Sequence, residues 1–118
     1  MMAVIFEVEP HPDKRATYLN MAAALAVQLA HIEGFIGIER FESLSQPGKL
    51  LSLSFWQDEA AIQRWRTAES HRGAQQAGRE HVFADYRLRV ASVMRDYGLH
   101  EREQVPDEGP PRSMPESP

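Results

Sequence analysis

Near its start this chain has a strand-like alternation of apolar and polar residues, followed by apolar residues at helical spacing. The order of these two patterns is the feature that most limits its fold. Residues 3–9 largely alternate between apolar and polar side chains, as a half-buried strand requires. From Tyr18 to Ile32 the apolar residues recur at helical spacing, and Gly34 stands where a helix commonly ends. These patterns predict a first strand and then a helix from about Lys14 to Ile32.

The middle of the chain has the pattern of a hairpin followed by a short helix. Segments 35–41 and 50–55 are rich in residues that favour strands, and Gln46-Pro47-Gly48 supplies turn chemistry between them. Asp58 then offers an oxygen that caps a helix, and the spacing of the next apolar residues predicts a second helix over residues 59–67.

The remaining sequence predicts a further helical piece, a strand and a tail. Ser70 is a candidate cap for a helical piece reaching about Val82. Residues 86–95 alternate and predict a fourth strand with arginines on one face. Residues 99–118 are rich in proline and acidic residues, and we expect them to form a disordered or loosely draped tail. The folded domain is therefore predicted over residues 1–98.

Strand, helix, strand, strand, helix and strand in this order predict an α+β fold of ferredoxin-like βαββαβ type. Both helices then cover one face of a four-stranded antiparallel sheet, and the other face stays open. The residues expected to make that open face apolar are Ile5, Phe35, Phe41, Ala91 and Val93. Because such a face is rarely left in water, the pattern predicts a homodimer. The alternative is a monomer whose arginines keep the face solvated.

The composition of the chain argues against several classes of chemistry, partner and location. The 118 residues include no cysteine, which rules out disulfides and thiolate chemistry and favours a cytosolic location. A net charge of -4 makes nucleic acid an unfavourable partner. Polar residues interrupt every apolar run, and the first residues lack the pattern of an export signal, so no membrane segment is expected.

Five motifs together resemble the antibiotic biosynthesis monooxygenase (ABM) domain family over nearly all of residues 3–97. They are Phe35-Ile36-Gly37-Ile38-Glu39, Leu51-Ser52-Leu53-Ser54-Phe55-Trp56, Ala60-Ala61-Ile62 with Trp65, His71-Arg72 with Ala74-Gln75 and Gly78-Arg79, and Asp85-Tyr86-Arg87. The resemblance implies a dimeric α+β barrel with a pocket between sheet and helices in each subunit. Members include cofactor-free oxygenases of aromatic or quinol substrates, haem-degrading enzymes and proteins without an assigned reaction.

Two departures from the haem-degrading members argue against haem. Those members are implied to have a histidine about ten residues after the pocket tryptophan and an asparagine on the first strand. Here Gln75 follows Trp65 at that distance, and the first strand offers Glu7. The five histidines are scattered without an i, i+4 pair, so no metal site is expected either. We therefore predict no cofactor.

Oxygenation without a cofactor needs a substrate that supplies electrons to oxygen, together with a pocket that orients or deprotonates it. We place this pocket between the second helix, the segment after Ser70 and the helix-covered face of the sheet, where Ala74, Ala77 and Gly78 leave space. His71 is the candidate proton acceptor, and Arg79 would hold an anionic substrate oxygen. The remaining substrate-binding candidates are Trp65, Arg72, Phe83, Ser52 and Ser54.

Each candidate also has a structural explanation. Trp65 is a natural core residue, Ser52 and Ser54 permit close packing, and His71 is placed to cap a helix. Arg72 and Arg79 are equally able to pair with nearby glutamates in solvent. Two functions therefore stay open: a cofactor-independent monooxygenase of a small aromatic, phenolic or quinol-like compound, or a non-catalytic ligand-binding or interaction domain.

Overall fold

The computed structural model describes residues 1–68 and 82–107, which form one antiparallel sheet with helices on one face. A short 3-10 turn, Pro12–Lys14, precedes the first helix. In chain order the elements are β1 (Met2–Pro10), α1 (Arg15–Leu29), β2 (Phe35–Glu42), β3 (Leu50–Trp56), α2 (Glu59–Thr67) and β4 (Phe83–Ser92). The strand order is β2-β3-β1-β4 with antiparallel neighbours throughout. This arrangement confirms the predicted ferredoxin-like α+β fold.

The ends of two elements differ from the prediction. Helix α1 stops at Leu29, because residues 31 and 32 bond to carbonyls three residues back and the chain turns at Gly34. Strand β4 begins at Phe83 and ends at Ser92, whose partner Met2 is the first residue of β1. The helical piece predicted after Ser70 lies outside the described residues. Residues 93–107 hold local turns, and the boundary at residue 98 stays a prediction.

Helix α2 spans Glu59–Thr67, as the sequence predicts. Its first turn is capped by Asp58, whose Oδ1 accepts a hydrogen bond of 2.9 Å from the Ala61 backbone N–H. The entry to β2 packs directly against this helix. Gly34 has φ +89°, and a Cβ at this position would meet the Ala61 Cβ at 2.7 Å. Glycine is therefore required here both by the turn and by the close approach of α2.

The pairing register assigns each side chain to one of two faces. The helix-covered face of β3 carries Leu50, Ser52, Ser54 and Trp56, all of which are buried. Leu51, Leu53 and Phe55 point to the open face, where the register also places Ile5, Phe41 and Ala91, as predicted.

The prediction that Phe35 lies on the open face is wrong. The register shifts between Phe35 and Gly37, so Phe35 pairs with Trp56, and their rings meet on the helix-covered face at 5.1 Å between centroids. An irregularity of this kind reverses the face on which the following side chains point.

Two separate clusters make up the core of the helix-covered face. The first contains Val8, Tyr18, Ala22, Leu50 and Val82, with Phe6, Met21 and Phe83 packed against it. The second contains Leu29, Trp56, Ala61, Ile62 and Trp65, with residues of β1 and β2 packed against it. Ser52 and Ser54 of β3 lie between the strand positions that contribute Leu50 to one cluster and Trp56 to the other. The core is thus divided by a polar strip.

Candidate active site

The polar strip is built on β3 and extends across the sheet. Ser52 and Ser54 are 8% and 5% exposed, and they are the buried polar residues of the described chain. Ser52 lies opposite Phe6 of β1 and Arg40 of β2, and Ser54 lies opposite Val4 and Ile38. We call this strip, which consists of Arg40, Ser52 and Ser54 on the sheet together with Tyr18 of α1, the polar seam.

Ser54 has a defined partner within the seam. Its Oγ accepts a hydrogen bond of 2.9 Å from Nε1 of Trp56, two residues further along the same strand. The indole is almost completely buried, so this contact satisfies a donor that would otherwise lose its hydrogen bond to water. The role of Ser54 is therefore partly structural.

Arg40 points inward from β2 toward α1. Its Nη2 donates a long hydrogen bond of 3.5 Å to the backbone carbonyl of Ala22, in the middle of that helix. Its Nε is buried and finds no acceptor among the described residues. Glu42, the acidic residue two positions along on the same face, is paired instead with Arg15 at 3.3 Å. The guanidinium of Arg40 therefore keeps a buried donor unused.

Tyr18 stands next to this guanidinium. Burial raises the pKa of the Tyr18 hydroxyl, and the charge and hydrogen bonding of Arg40 only partly oppose that effect. The phenol consequently stays protonated at neutral pH, so its O–H is able to donate a hydrogen bond while its oxygen accepts one from Arg40. Together, Arg40 and Tyr18 give the seam two donors suited to an anionic oxygen.

Aromatic rings flank the seam. On one side, Phe83 lies 5.7 Å from Phe6 and 5.9 Å from Tyr18, measured between ring centroids. On the other side, Trp56 and Trp65 are buried in the second cluster. The seam opens toward β4, where Leu88 and Val90 point to the helix side but are 48% and 46% exposed. The walls are thus aromatic, and one edge is apolar and accessible.

The structure brings together some of the predicted site residues. Ser52 and Ser54 lie in the seam, while Phe83 and Trp65 belong to the two different clusters beside it. His71, Arg72 and Arg79 lie outside the described residues, as do Ala74, Ala77 and Gly78. The catalytic roles given to His71 and Arg79 stay predictions.

Sequence reasoning missed Tyr18 and Arg40 as site residues. The helical spacing identifies Tyr18 only as an apolar position of the first helix. Arg40 follows Ile38 on the same inward face of β2, so a charged residue in a buried row was the available signal. That signal became readable only once the register showed which face of β2 is covered.

The open face has a different chemistry. Glu7 lies 3.4 Å from Lys49 and 3.3 Å from Arg89, measured between side-chain nitrogen and oxygen atoms. Two shallow depressions of about 300 Å³ and 290 Å³ lie beside Glu7 and share Gln46 and Lys49 in their linings. Neither contains a residue of the polar seam. These depressions belong to the face predicted to meet a second copy.

Two features are absent from the described residues. Residues 1–68 and 82–107 contain no group of three or more histidine, aspartate or glutamate side chains placed to hold a metal ion. In the same part of the chain, no helix has the length and hydropathy needed to cross a bilayer.

Comparison with known proteins identifies the family. The family model described as antibiotic biosynthesis monooxygenase matches residues 1–77. A protein of Pyricularia oryzae named jasmonate monooxygenase ABM is 49% identical over 105 residues, which are 89% of this chain and 49% of that protein. The chain thus spans about half the length of this relative. YqjZ of Bacillus subtilis, an uncharacterized protein, is 34% identical over 66% of this chain and 67% of its own length.

A solved structure shows the same fold. It is that of a protein from Deinococcus radiodurans, with a TM-score of 0.74 and coverage of 84% of this chain and 98% of that chain. The sequence identity is 17%, so this likeness concerns the fold alone. The family model and the closely similar sequences carry the assignment further: the chain belongs to the antibiotic biosynthesis monooxygenase family.

Proposed function

We propose that this chain is a cofactor-independent monooxygenase of a small aromatic, phenolic or quinol-like compound, which binds along the polar seam. The observation that carries the proposal is the pair formed by buried Tyr18 and half-buried Arg40, two donors beside aromatic side chains on the helix-covered face. Family membership supports a monooxygenase-type reaction. The name of the Pyricularia relative points in the same direction for that protein.

The chemistry balances without an external reductant. A phenol with hydrogen on its para carbon becomes a quinone with one molecule of oxygen: one oxygen atom enters the ring, and the other leaves as water. The ring loses its para hydrogen and the hydroxyl loses its proton, so the substrate supplies all four electrons. The protein must hold the phenolate form and keep bulk water away from it.

The seam residues suit the first of these tasks. Arg40 supplies a guanidinium, which has donors and no acceptor, and the raised pKa of Tyr18 keeps its hydroxyl protonated. Donors held in a buried site stabilise an oxyanion more strongly than the same groups in water do. In this proposal His71 accepts the substrate proton, and Arg79 is a second contact for the anion.

Oxygen consumption tests the proposal. Purified chain is mixed with anthrone-like phenols and hydroquinones, and uptake is compared with spontaneous oxidation in buffer alone. With ¹⁸O₂, one labelled atom is expected in the quinone formed from a phenol. The absence of uptake above the buffer rate with every compound contradicts the proposal. Saturable binding without turnover would favour the second candidate, a non-catalytic ligand-binding domain of the same fold.

We further propose that the active form is a homodimer through the open sheet face. The support is the row of apolar side chains that the register places there, namely Ile5, Phe41, Leu51, Leu53, Phe55 and Ala91. The charged group around Glu7 would lie at the edge of such an interface. The absence of cysteine is consistent with a reducing compartment, and we place the dimer in the cytosol.

A further inference from the structure

Arg40 keeps one buried donor, its Nε–H, that no described protein group accepts. A guanidinium offers Nε–H and one Nη–H as two parallel donors, and this pair matches the two oxygens of a carboxylate. In Arg40 the Nε is buried without an acceptor in the described residues. The 3.5 Å contact from Nη2 goes to the Ala22 carbonyl, which is already positioned to accept the bond of its own helix. The Nε–H is therefore available to an acceptor that the described protein groups do not provide.

The surroundings favour an anion at this Nε–H. A cation removed from water costs free energy unless an opposite charge or strong hydrogen bonds compensate it. Glu42 does not compensate Arg40, because it is paired with Arg15 near the surface. The Tyr18 hydroxyl and the buried Ser52, directly opposite Arg40 across the β2–β3 pair, are further groups able to donate a hydrogen bond.

The rest of the ligand should be apolar. Phe6 lies in the same cross-strand row as Arg40 and Ser52, and Leu88 is its partner on β4. A ligand whose acid group meets Arg40 would thus run along aromatic and aliphatic side chains toward the accessible edge of the sheet. This geometry suits a small acid with a ring better than a highly polar one.

We propose that Arg40, with Tyr18 and Ser52, binds the carboxylate of a small apolar carboxylic acid, and that this acid group is part of the substrate. The inference rests on the proposed function in one respect: it assigns the substrate class of the same site. A phenolate has a single oxygen and leaves one of the two parallel Arg40 donors unpaired, so a carboxylate fits better. The substrate we infer is a phenolic or quinol-like compound that also carries an acid group.

Binding of unreactive probes tests this assignment. Calorimetry compares benzoate with benzamide, which has the same ring and nearly the same shape but no charge, and with 4-nitrophenolate. We expect benzoate to bind at least about 10-fold more tightly than benzamide, since a hydrogen bond to a charged group contributes about 1.5 to 3 kcal/mol. Equal affinities for benzoate and benzamide, tighter binding of 4-nitrophenolate, or no saturable benzoate binding at millimolar concentrations would overturn it.

Variants then locate the site. Arg40→Gln should lose the preference for benzoate, Arg40→Lys should keep part of it, and Arg66→Gln, on the exposed side of α2, should leave it unchanged. If Arg40→Gln does not fold, Tyr18→Phe and Ser52→Ala serve instead, each with a several-fold weaker affinity for benzoate. Unchanged preference in a folded Arg40→Gln protein contradicts the site. Benzoate binding without oxygen uptake on any phenol removes the proposed function alone, whereas uptake without acid preference removes this inference alone.

Discussion

Trp56 and Ser54 are joined by a buried hydrogen bond from the indole Nε1 to the serine Oγ, at 2.9 Å. The two residues stand two positions apart on β3, so both point to the helix-covered face. One of them belongs to an apolar cluster and the other to the polar seam. The bond therefore connects the apolar cluster that contains Trp56 with the polar seam that contains Ser54.

Ser54→Ala should destabilise the fold by about 1 to 3 kcal/mol, because it leaves the buried Trp56 N–H without its acceptor. Urea denaturation followed by tryptophan fluorescence measures the loss. Ser45→Ala, in the exposed turn after β2, is the control and should change stability by less than about 0.5 kcal/mol. Equal effects of the two substitutions would show that the indole finds another partner.

Gly34→Ala should be more damaging than Gly48→Ala. Both glycines have positive φ, +89° and +88°, so both substitutions carry a similar backbone cost of about 1 kcal/mol. Only at Gly34 does the new Cβ meet Ala61, at 2.7 Å, whereas nothing lies within 4 Å at Gly48. The added crowding is expected to cost about 1 to 3 kcal/mol more in urea denaturation. A Gly34→Ala protein as stable as Gly48→Ala would contradict this contact.

Glu7 should make stability depend on pH in the acid range. Partial burial of its carboxyl favours a higher pKa, but hydrogen bonds and charges from Arg89 and Lys49 outweigh it and lower the pKa below the ordinary 4.5. A carboxyl with a lowered pKa stabilises the fold above its unfolded pKa, and that contribution is lost as pH falls through the folded value.

A comparison of wild type with Glu7→Gln tests this direction of the change in stability with pH. We expect wild type to have the higher thermal midpoint above about pH 4.5, with the difference shrinking as pH falls further. Glu33→Gln, in the exposed loop after α1, controls for the change in net charge. A difference between wild type and Glu7→Gln that grows toward low pH would reverse the conclusion.

The open face should hold a second copy of the chain. Leu53→Arg places a charge opposite Ile5 at the middle of that face and is expected to give a folded monomer. Val27→Arg makes the same change on the exposed side of α1 and should leave the dimer intact. Sedimentation velocity at about ten micromolar, where standard interfaces are well populated, separates the two results. A monomeric wild-type chain at that concentration would end the proposal of a dimer.

His71→Ala should lower turnover by at least about 10-fold if His71 is the proton acceptor, while the thermal midpoint barely moves. The measurement is oxygen uptake with the best phenol of the panel, together with a thermal melt. Parallel loss of activity and stability would instead identify His71 as a helix cap. His31→Ala, after the end of α1, is the control for removing an exposed histidine.

Hydrophobic patterns, strand-favouring residues and turn or cap signals together were sufficient to predict the four strands and two helices of the described residues. Even the bounds of α2 followed from Asp58 and the apolar spacing after it. The face on which Phe35 points could not be predicted in this way, because a single irregularity in β2 changed it. Local sequence patterns therefore predict the strands and helices, whereas the pairing of the strands is needed to assign each side chain to a face of the sheet.

Two residues of the candidate site, Arg40 and Tyr18, could not be predicted for a similar reason. Ser52 and Ser54 were predicted as candidates from their place opposite the leucines of β3, and they do lie in the buried seam. Arg40 and Tyr18 stand 22 positions apart in the sequence, so their proximity depends on how α1 lies across β2. No spacing rule within one element detects such a pair.

The strand order has a consequence for how the molecule assembles. Pairing of β2 with β3 closes a loop of a few residues, whereas pairing of β1 with β4 brings residue 2 beside residue 92 and restricts nearly the whole chain. Loop closure of that length costs more conformational entropy and slows folding, so the β2–β3 hairpin should form early and β4 should dock late. Since β4 provides the accessible edge of the polar seam, the seam is expected to be completed in the last step of folding.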